Sequence, residues 1–239
     1  MNNINILLKS IKYQFLIFFR IKQAVFFSIA FPIFLFIIFG NIWGFYDNYI
    51  PFVLTGVIAM TIASDGLFAI GPVIKEYYNN GLIKYLRKQP FNIIYHFLGL
   101  IFSRIILLFL VVLLLCITSI IVFKYHVTIK ELINYFLGVF IGLFIFSFMG
   151  LAFSFSSLKN TSEKGLVNLI YFVLLFTSSA FYPIKKFNKT IGDFGDFLPF
   201  NQVLNILRGE TINIQILLFW VIVPPCIFYF IFNKIKTNR

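Results

Sequence analysis

Six apolar runs, each about as long as a bilayer is thick, decide what this chain can fold into. A helix of about 20 apolar residues crosses a hydrocarbon core of about 30 Å. Such runs lie near Ala24–Trp43, Ile50–Val73, Phe97–Phe123, Leu132–Ser154, Leu166–Tyr182 and Ile214–Phe232, the fifth being short. Lipid offers backbone amides no partners, so each run reads as a helix that satisfies itself. The runs are continuous, without the alternation of a membrane barrel strand. Composition agrees: 60% of the 239 residues are hydrophobic and 12% charged, against about 45–50% and 25% in a soluble domain. The expected fold is an all-α integral membrane protein with six transmembrane helices.

The formal charge of +12 points to topology and not to nucleic acid. Phosphate-binding residues cluster on one soluble face, whereas these sit in short segments between apolar runs. With the N-terminus in the cytoplasm, only Lys124, Lys130, Lys185, Lys186, Lys189 and Arg208 of the 20 basic residues fall outside. The other fourteen fall inside, and Asp47, Glu131, Asp193, Asp196 and Glu210 lean outward. Positive charge inside orients the chain with both termini cytoplasmic. The opening residues lack the h-region and cleavage site of a signal peptide, so they are expected to be retained. In residues 1–23, Ile4, Leu7, Leu8, Ile11, Phe15 and Phe18 recur at helical spacing beside Lys9, Lys12 and Arg20. That pattern suits an amphipathic helix in the headgroup layer, with an extension of the first span as the alternative.

The segment Lys75–Pro90, "KEYYNNGLIKYLRKQP", is then a cytoplasmic loop. Asn79-Asn80-Gly81 is turn chemistry. Beyond it Leu82, Ile83 and Leu86 share a face, with Lys84, Arg87 and Lys88 largely off it. This predicts a short amphipathic helix facing lipid or a partner protein; a loop that only anchors topology is the alternative.

Glu76, Gly81-Leu82, Leu86 and Pro90 together resemble the intracellular loop of ABC-2 type transporter permeases. A second stretch, "SSAFYPIKKFNKTIGDFGDFLPFNQVLNILRG", resembles the last outer loop of that family on Phe181, Pro183, Pro199, Leu207 and Arg208. It departs from the family in its basic, glycine-rich middle. The resemblance spans nearly the whole chain: an interfacial helix (1–23), then a six-span domain (24–239) with a coupling loop at about 74–92 and an outer loop with short helices at about 183–212. It implies that Glu76, Gly81, Leu82, Leu86, Arg87 and Pro90 couple to a separate ABC ATPase subunit. Two ATPase copies would work with two permease chains, identical or not. ATP and Mg would bind in that partner, since this chain has no G-x-x-x-x-G-K-[ST] motif. No catalytic residue, cofactor or metal site is expected here. The implied activity is export of an amphipathic or lipid-like substrate: a drug, peptide, natural product or lipid-linked glycan. The expected location is a cell membrane, in the first instance the bacterial inner membrane. A gradient-driven secondary transporter is one rival, although the repeats of that class are missing. A membrane scaffold for a cytoplasmic enzyme is the other.

Several residues inside the runs stand out. Asp65 is the one acid well inside a span, and an intramembrane charge calls for a partner. Arg104 lies at similar depth, ~11–15 Å from the inner boundary at about 1.5 Å per residue. An Asp65–Arg104 pair is expected, as a structural brace first and a transport element second. Gly138 and Gly142 form a G-x-x-x-G that permits close helix approach. Pro224 and Pro225 are expected to kink or break the last span. Cys116 and Cys226 read as small buried hydrophobes. His96 and His126 fall at opposite faces and form no joint metal site. Asp193 and Asp196, beside Gly192 and Gly195, read as turn formers and not as a catalytic pair.

Overall fold

The computed structural model of the chain describes residues 3–89, 92, 94–156 and 160–237. Pro90, Lys159 and Arg239 lie outside the described residues. Every element among the described residues is helical. We number them α1 (Asn3–Arg20), α2 (Lys22–Trp43) and α3 (Tyr49–Asn79), α4 (Leu82–Arg87), α5 (Ile94–Phe123) and α6 (Ile129–Ser156). Then come α7 (Asn160–Phe176), α8 (Ile184–Phe187), α9 (Lys189–Phe197), α10 (Pro199–Arg208) and α11 (Ile214–Thr237).

Five of these (α2, α3, α5, α6 and α11) are long and apolar enough to cross a membrane. The expected fifth span is different. Its apolar stretch in α7, Gly165–Phe176, is about 18 Å long at 1.5 Å per residue. The chain then turns at 177–183 and continues into three short helices.

The bundle is organised around α3 and α6. In α3, 83% of the most apolar window is buried inside the protein, against 17% in α2 and 6% in α11. Helices α2, α5 and α11 therefore clothe a central pair. The pair meets through small residues. A Cβ on Gly71 would run into the backbone of Gly150, and one on Gly150 would lie 2.8 Å from the Leu67 carbonyl oxygen. Gly66 likewise faces Phe146 and Ser147. Such contact leaves no room for side chains, and close helix approach of this kind is how membrane helices gain dispersion energy. Within this contact, α3 passes through a π-turn at Asp65–Ile70, ahead of Pro72 at the start of the following α-helical segment. Pro lacks the amide that would continue the α ladder, which accounts for a local irregularity here.

The amphipathic helix α1 packs along α5. Its protein-facing stripe is Ile6, Ser10, Gln14 and Phe18, all buried. Ile4, Leu8, Leu16 and Phe19 stay exposed. The polar members are used: Ser10 Oγ donates to the His96 carbonyl at 3.0 Å, and Gln14 Nε2 donates to Tyr77 Oη at 3.3 Å. The apolar surface left outside the protein is what a helix lying in a lipid headgroup layer requires.

Helix α10 enters the core. Phe200, Val203, Leu204 and Leu207 are buried, with Pro199 at the first helical position, where a missing amide costs nothing. Gly138 receives Leu207, while Val203 and Ile62 meet Gly142. The G-x-x-x-G thus lies against α10 and α3 of the same chain. Ile62 is about 20 Å along α3 from Tyr49 at 1.5 Å per residue, so α10 reaches well into the bundle.

Helix α11 runs unbroken through Pro224 and Pro225, so of the kink and the break expected there the break does not occur. Two other expectations are revised. Cys226 is exposed, whereas Cys116 is buried; the outer helix α11 has little protein around it. Asp193 and Asp196 lie in helix α9, not in a turn, because the Asn188 side chain caps that helix by accepting from the Ile191 amide at 3.1 Å.

Gly150→Val should lower the thermal midpoint in detergent by the equivalent of about 1–3 kcal/mol through overpacking. Gly165→Ala, with nothing within 4 Å of its Cβ position, should stay within about 0.5 kcal/mol.

Candidate functional site

At one end of the bundle α3 terminates where the Asn80 amide donates to the Glu76 carbonyl at 2.9 Å. Gly81 then takes φ 72°. A left-handed conformation costs an L-residue about 1–2 kcal/mol. Nothing lies within 4 Å of a Cβ built there, so the requirement for glycine is conformational, not steric. The turn sets off α4, which closes at Arg87. Leu82, Ile83 and Leu86 are half-buried, while Lys84, Tyr85 and Lys88 are exposed, Tyr85 at 61%. Glu76, Tyr77, Leu82 and Tyr85 line a groove of about 570 Å³ whose other side is formed by Gln14, Phe18 and Ile21. The exposed Glu76 and the α4 side chains thus converge on one surface.

Above that groove, Arg104 of α5 reaches the π-turn of α3. Its Nη1 lies 3.4 Å from Asp65 Oδ1, with the two side chains 16% and 4% exposed. The Arg104 guanidinium also sits 5.6 Å from the centre of the Phe18 ring. One residue therefore ties α1, α3 and α5 together. The contact with Phe18 has no signature in the sequence beyond an aromatic at the right turn of α1.

At the opposite end Arg208 closes α10. Its Nε donates to Thr55 Oγ1 at 3.1 Å. Its Nη2 donates to the Ser179 carbonyl at 2.8 Å and to the Phe52 carbonyl at 3.3 Å. The guanidinium lies 4.0 Å from the Phe52 ring centre, a cation–π distance. Burial lowers its pKa to about 10, Glu210 opposing, so it stays charged at neutral pH. The sequence does not announce Thr55, Phe52 and Ser179 as partners, because a threonine hydroxyl and two backbone carbonyls on distant elements leave no pattern in it. Phe181 sits beside Phe39 at 4.8 Å, and its carbonyl accepts from Tyr49 Oη at 3.2 Å. Pro183 caps α8. Asp193 and Asp196 both face Lys185, at 3.2 and 2.7 Å, and hold its pKa above the usual value. A further oxygen of Asp196 accepts from Asn201 Nδ2 at 3.1 Å. These carboxylates are spent on pinning the short helices.

Arg208→Met should lower stability by about 1.5–3 kcal/mol, the range for hydrogen bonds to a charged group. Arg208→Lys should recover little of it, since an ammonium cannot span acceptors on two elements. Thermal unfolding in detergent is the measurement.

The ABC-2 type transporter family model matches residues 7–210. The match takes in most of α1 and all of α2 to α10, with both stretches of family resemblance, and stops before α11. A search of curated proteins found no match. With most of its length matched, this multi-pass membrane protein belongs to the ABC-2 type transporter family, as a membrane-spanning permease subunit that associates with an ABC ATPase.

Proposed function

We propose that the chain is one half of the membrane domain of an ATP-driven exporter. It would span the membrane six times with both termini in the cytoplasm, and would work as two permease chains with two ATPase chains that bind ATP and Mg. The excess of basic residues at the α1–α4 end favours that orientation. Helix α7 and the turn after it would make the fifth crossing, with α10 filling the depth that α7 leaves.

The observation that carries this reading is α4 itself: a short helix, set off by a left-handed glycine from the most buried helix of the bundle, with Lys84 and Tyr85 exposed. A partner gripping α4 pulls on α3. Because the last segment of α3 abuts α6 backbone to backbone near Gly71 and Gly150, the two helices would move together. The irregular π-turn at Asp65–Ile70 is where α3 can bend at least cost. ATP-driven closure of the ATPase pair would thus tilt the lower bundle and alternate access for an amphipathic substrate. In this scheme Glu76, Gly81, Leu82, Leu86, Arg87 and Pro90 form the ATPase contact, and the Asp65–Arg104 contact braces α3 against α5.

Changing Gly81, Leu82 and Leu86 together to Asp should abolish co-purification of a stoichiometric ATPase in mild detergent while leaving the permease monodisperse. Retained ATPase would sink the coupling role. Asp65→Asn and Arg104→Gln should each cost about 3–5 kcal/mol, as stranding one buried charge does. Exchanging the two charges, Asp65→Arg with Arg104→Asp, should restore most of that loss in thermal unfolding. Failure to restore would remove the brace.

A further inference from the structure

The end of the bundle away from α4 holds a cavity of about 450 Å³, a size usual for small-molecule sites. Its lining comes from the start of α3, the turn after α7, α8, α10 and the loop leading into α11. Two opposite charges stand there side by side without meeting. Arg208 spends Nε on Thr55, and Nη2 on the Ser179 and Phe52 carbonyls. A guanidinium has five N–H donors. The two on Nη1 make no hydrogen bond among the described residues and are not sealed from solvent. Glu210 is exposed and near enough to act on the Arg208 charge. Its carboxylate nevertheless forms no ion pair or hydrogen bond among the described residues. The backbone holds the two apart: Gly209 takes φ 66°, and the Glu210 amide is tied to the Asn205 carbonyl at 2.9 Å. Lys185 and Asp196, also on the lining, are bonded to each other at 2.7 Å. The charges left open are therefore one of each sign. The amides follow suit. Asn205 Nδ2 donates to the Thr211 carbonyl, and Asn213 Oδ1 accepts from the Gln215 and Ile216 amides. That leaves an acceptor on Asn205 and a donor on Asn213 without partners among the described residues.

We propose that this cavity binds a zwitterionic amino acid or dipeptide, its carboxylate on Arg208 Nη1 and its ammonium on Glu210. Asn205 and Asn213 supply the acceptor and donor that a peptide bond needs, and Pro183 and Ile216 give an apolar side chain a place on the lining. A ligand of net charge would satisfy one open group and be repelled by the other. A sugar fits less well, because the ring on this lining, Phe52, is already engaged by the guanidinium at 4.0 Å and stacking would have to compete. The site goes beyond the exporter reading and does not rest on it, since it uses no residue of the α4 surface and needs no ATPase.

The test is titration calorimetry on the full chain in phosphatidylcholine nanodiscs, without ATPase. The probes are leucine and leucyl-leucine, each with its N-acetyl form, which lacks the ammonium, and its amide form, which lacks the carboxylate. At least one zwitterion should bind about 10- to 100-fold more tightly than either of its capped forms, the range for a hydrogen bond to a charged group. Glu210→Gln, at an exposed side chain without a bond to lose, should keep the thermal midpoint and bring the zwitterion down to the affinity of its N-acetyl form. Glu210→Lys should go further and make the N-acetyl form the tighter ligand. Zwitterions that bind no better than their capped forms, or a preference that survives both Glu210 variants, would overturn the proposal. So would binding of methyl glucoside in place of either zwitterion, which would mark a polyol site. None of these outcomes bears on recruitment of the ATPase through α4.

Discussion

The close approach of α3 to α6 is the contact on which the rest depends. In water such a contact would be driven by burying apolar surface, but two helices already in lipid gain little that way. Attraction must come from dispersion at short range, which falls off within an ångström of optimal separation. Gly66 and Gly71 on one helix and Gly150 on the other allow that separation. Further along α6, Gly138 and Gly142 admit Leu207 and Val203, so α10 is drawn into the same seam. Four elements of the architecture thus follow from small residues: a buried central helix, its partner, an inserted short helix, and outer helices left mainly to lipid.

Two arginines secure what packing alone would leave loose, by opposite means. Arg208 finds three neutral oxygens and a ring, so its charge is spread over hydrogen bonds and needs no acid. Arg104 meets a carboxylate and an aromatic ring from an interfacial helix. The first joins α10 to the start of α3 and the turn after α7. The second joins α1, α5 and the irregular middle of α3. Since α4 hangs from the far end of α3, that short helix is connected through a few residues to the Asp65–Arg104 contact in the middle of the bundle. That economy of connection suits a transporter, in which a push at one surface must change the shape of another.

Much of the fold was legible because the solvent is lipid. Long apolar runs must be helices there. What proved harder has physical reasons. The run ending at Tyr182 reads as a span by hydropathy, yet the helix stops at Phe176; Thr177, Ser178 and Ser179 can replace its ladder with side-chain and turn hydrogen bonds. Pro199–Arg208 reads as surface loop because it carries Asn201, Gln202, Asn205 and Arg208. Each of these finds a partner inside the protein, and no local pattern announces that. In α1 the buried positions are spaced by four and half polar, a rhythm hidden beneath the stronger apolar stripe of Ile4, Leu7, Leu8, Ile11 and Phe15, which is half-buried or exposed.

The candidate site divides in the same way. Gly81 was identifiable because a turn needing a left-handed residue has few solutions, and Asp65 because a lone intramembrane acid is conspicuous. The sequence by itself determined that this chain lives in a membrane as helices, and where a short helix interrupts them. Those outcomes depend on run length, charge and local backbone preference, all of which are local quantities. Only the tertiary structure decided that α3 and α6 are central, that α10 is inserted between them, and that Arg104 leaves one oxygen of Asp65 unmet. Those outcomes depend on which surfaces fit at contact distance, and fit is a property of the assembled helices.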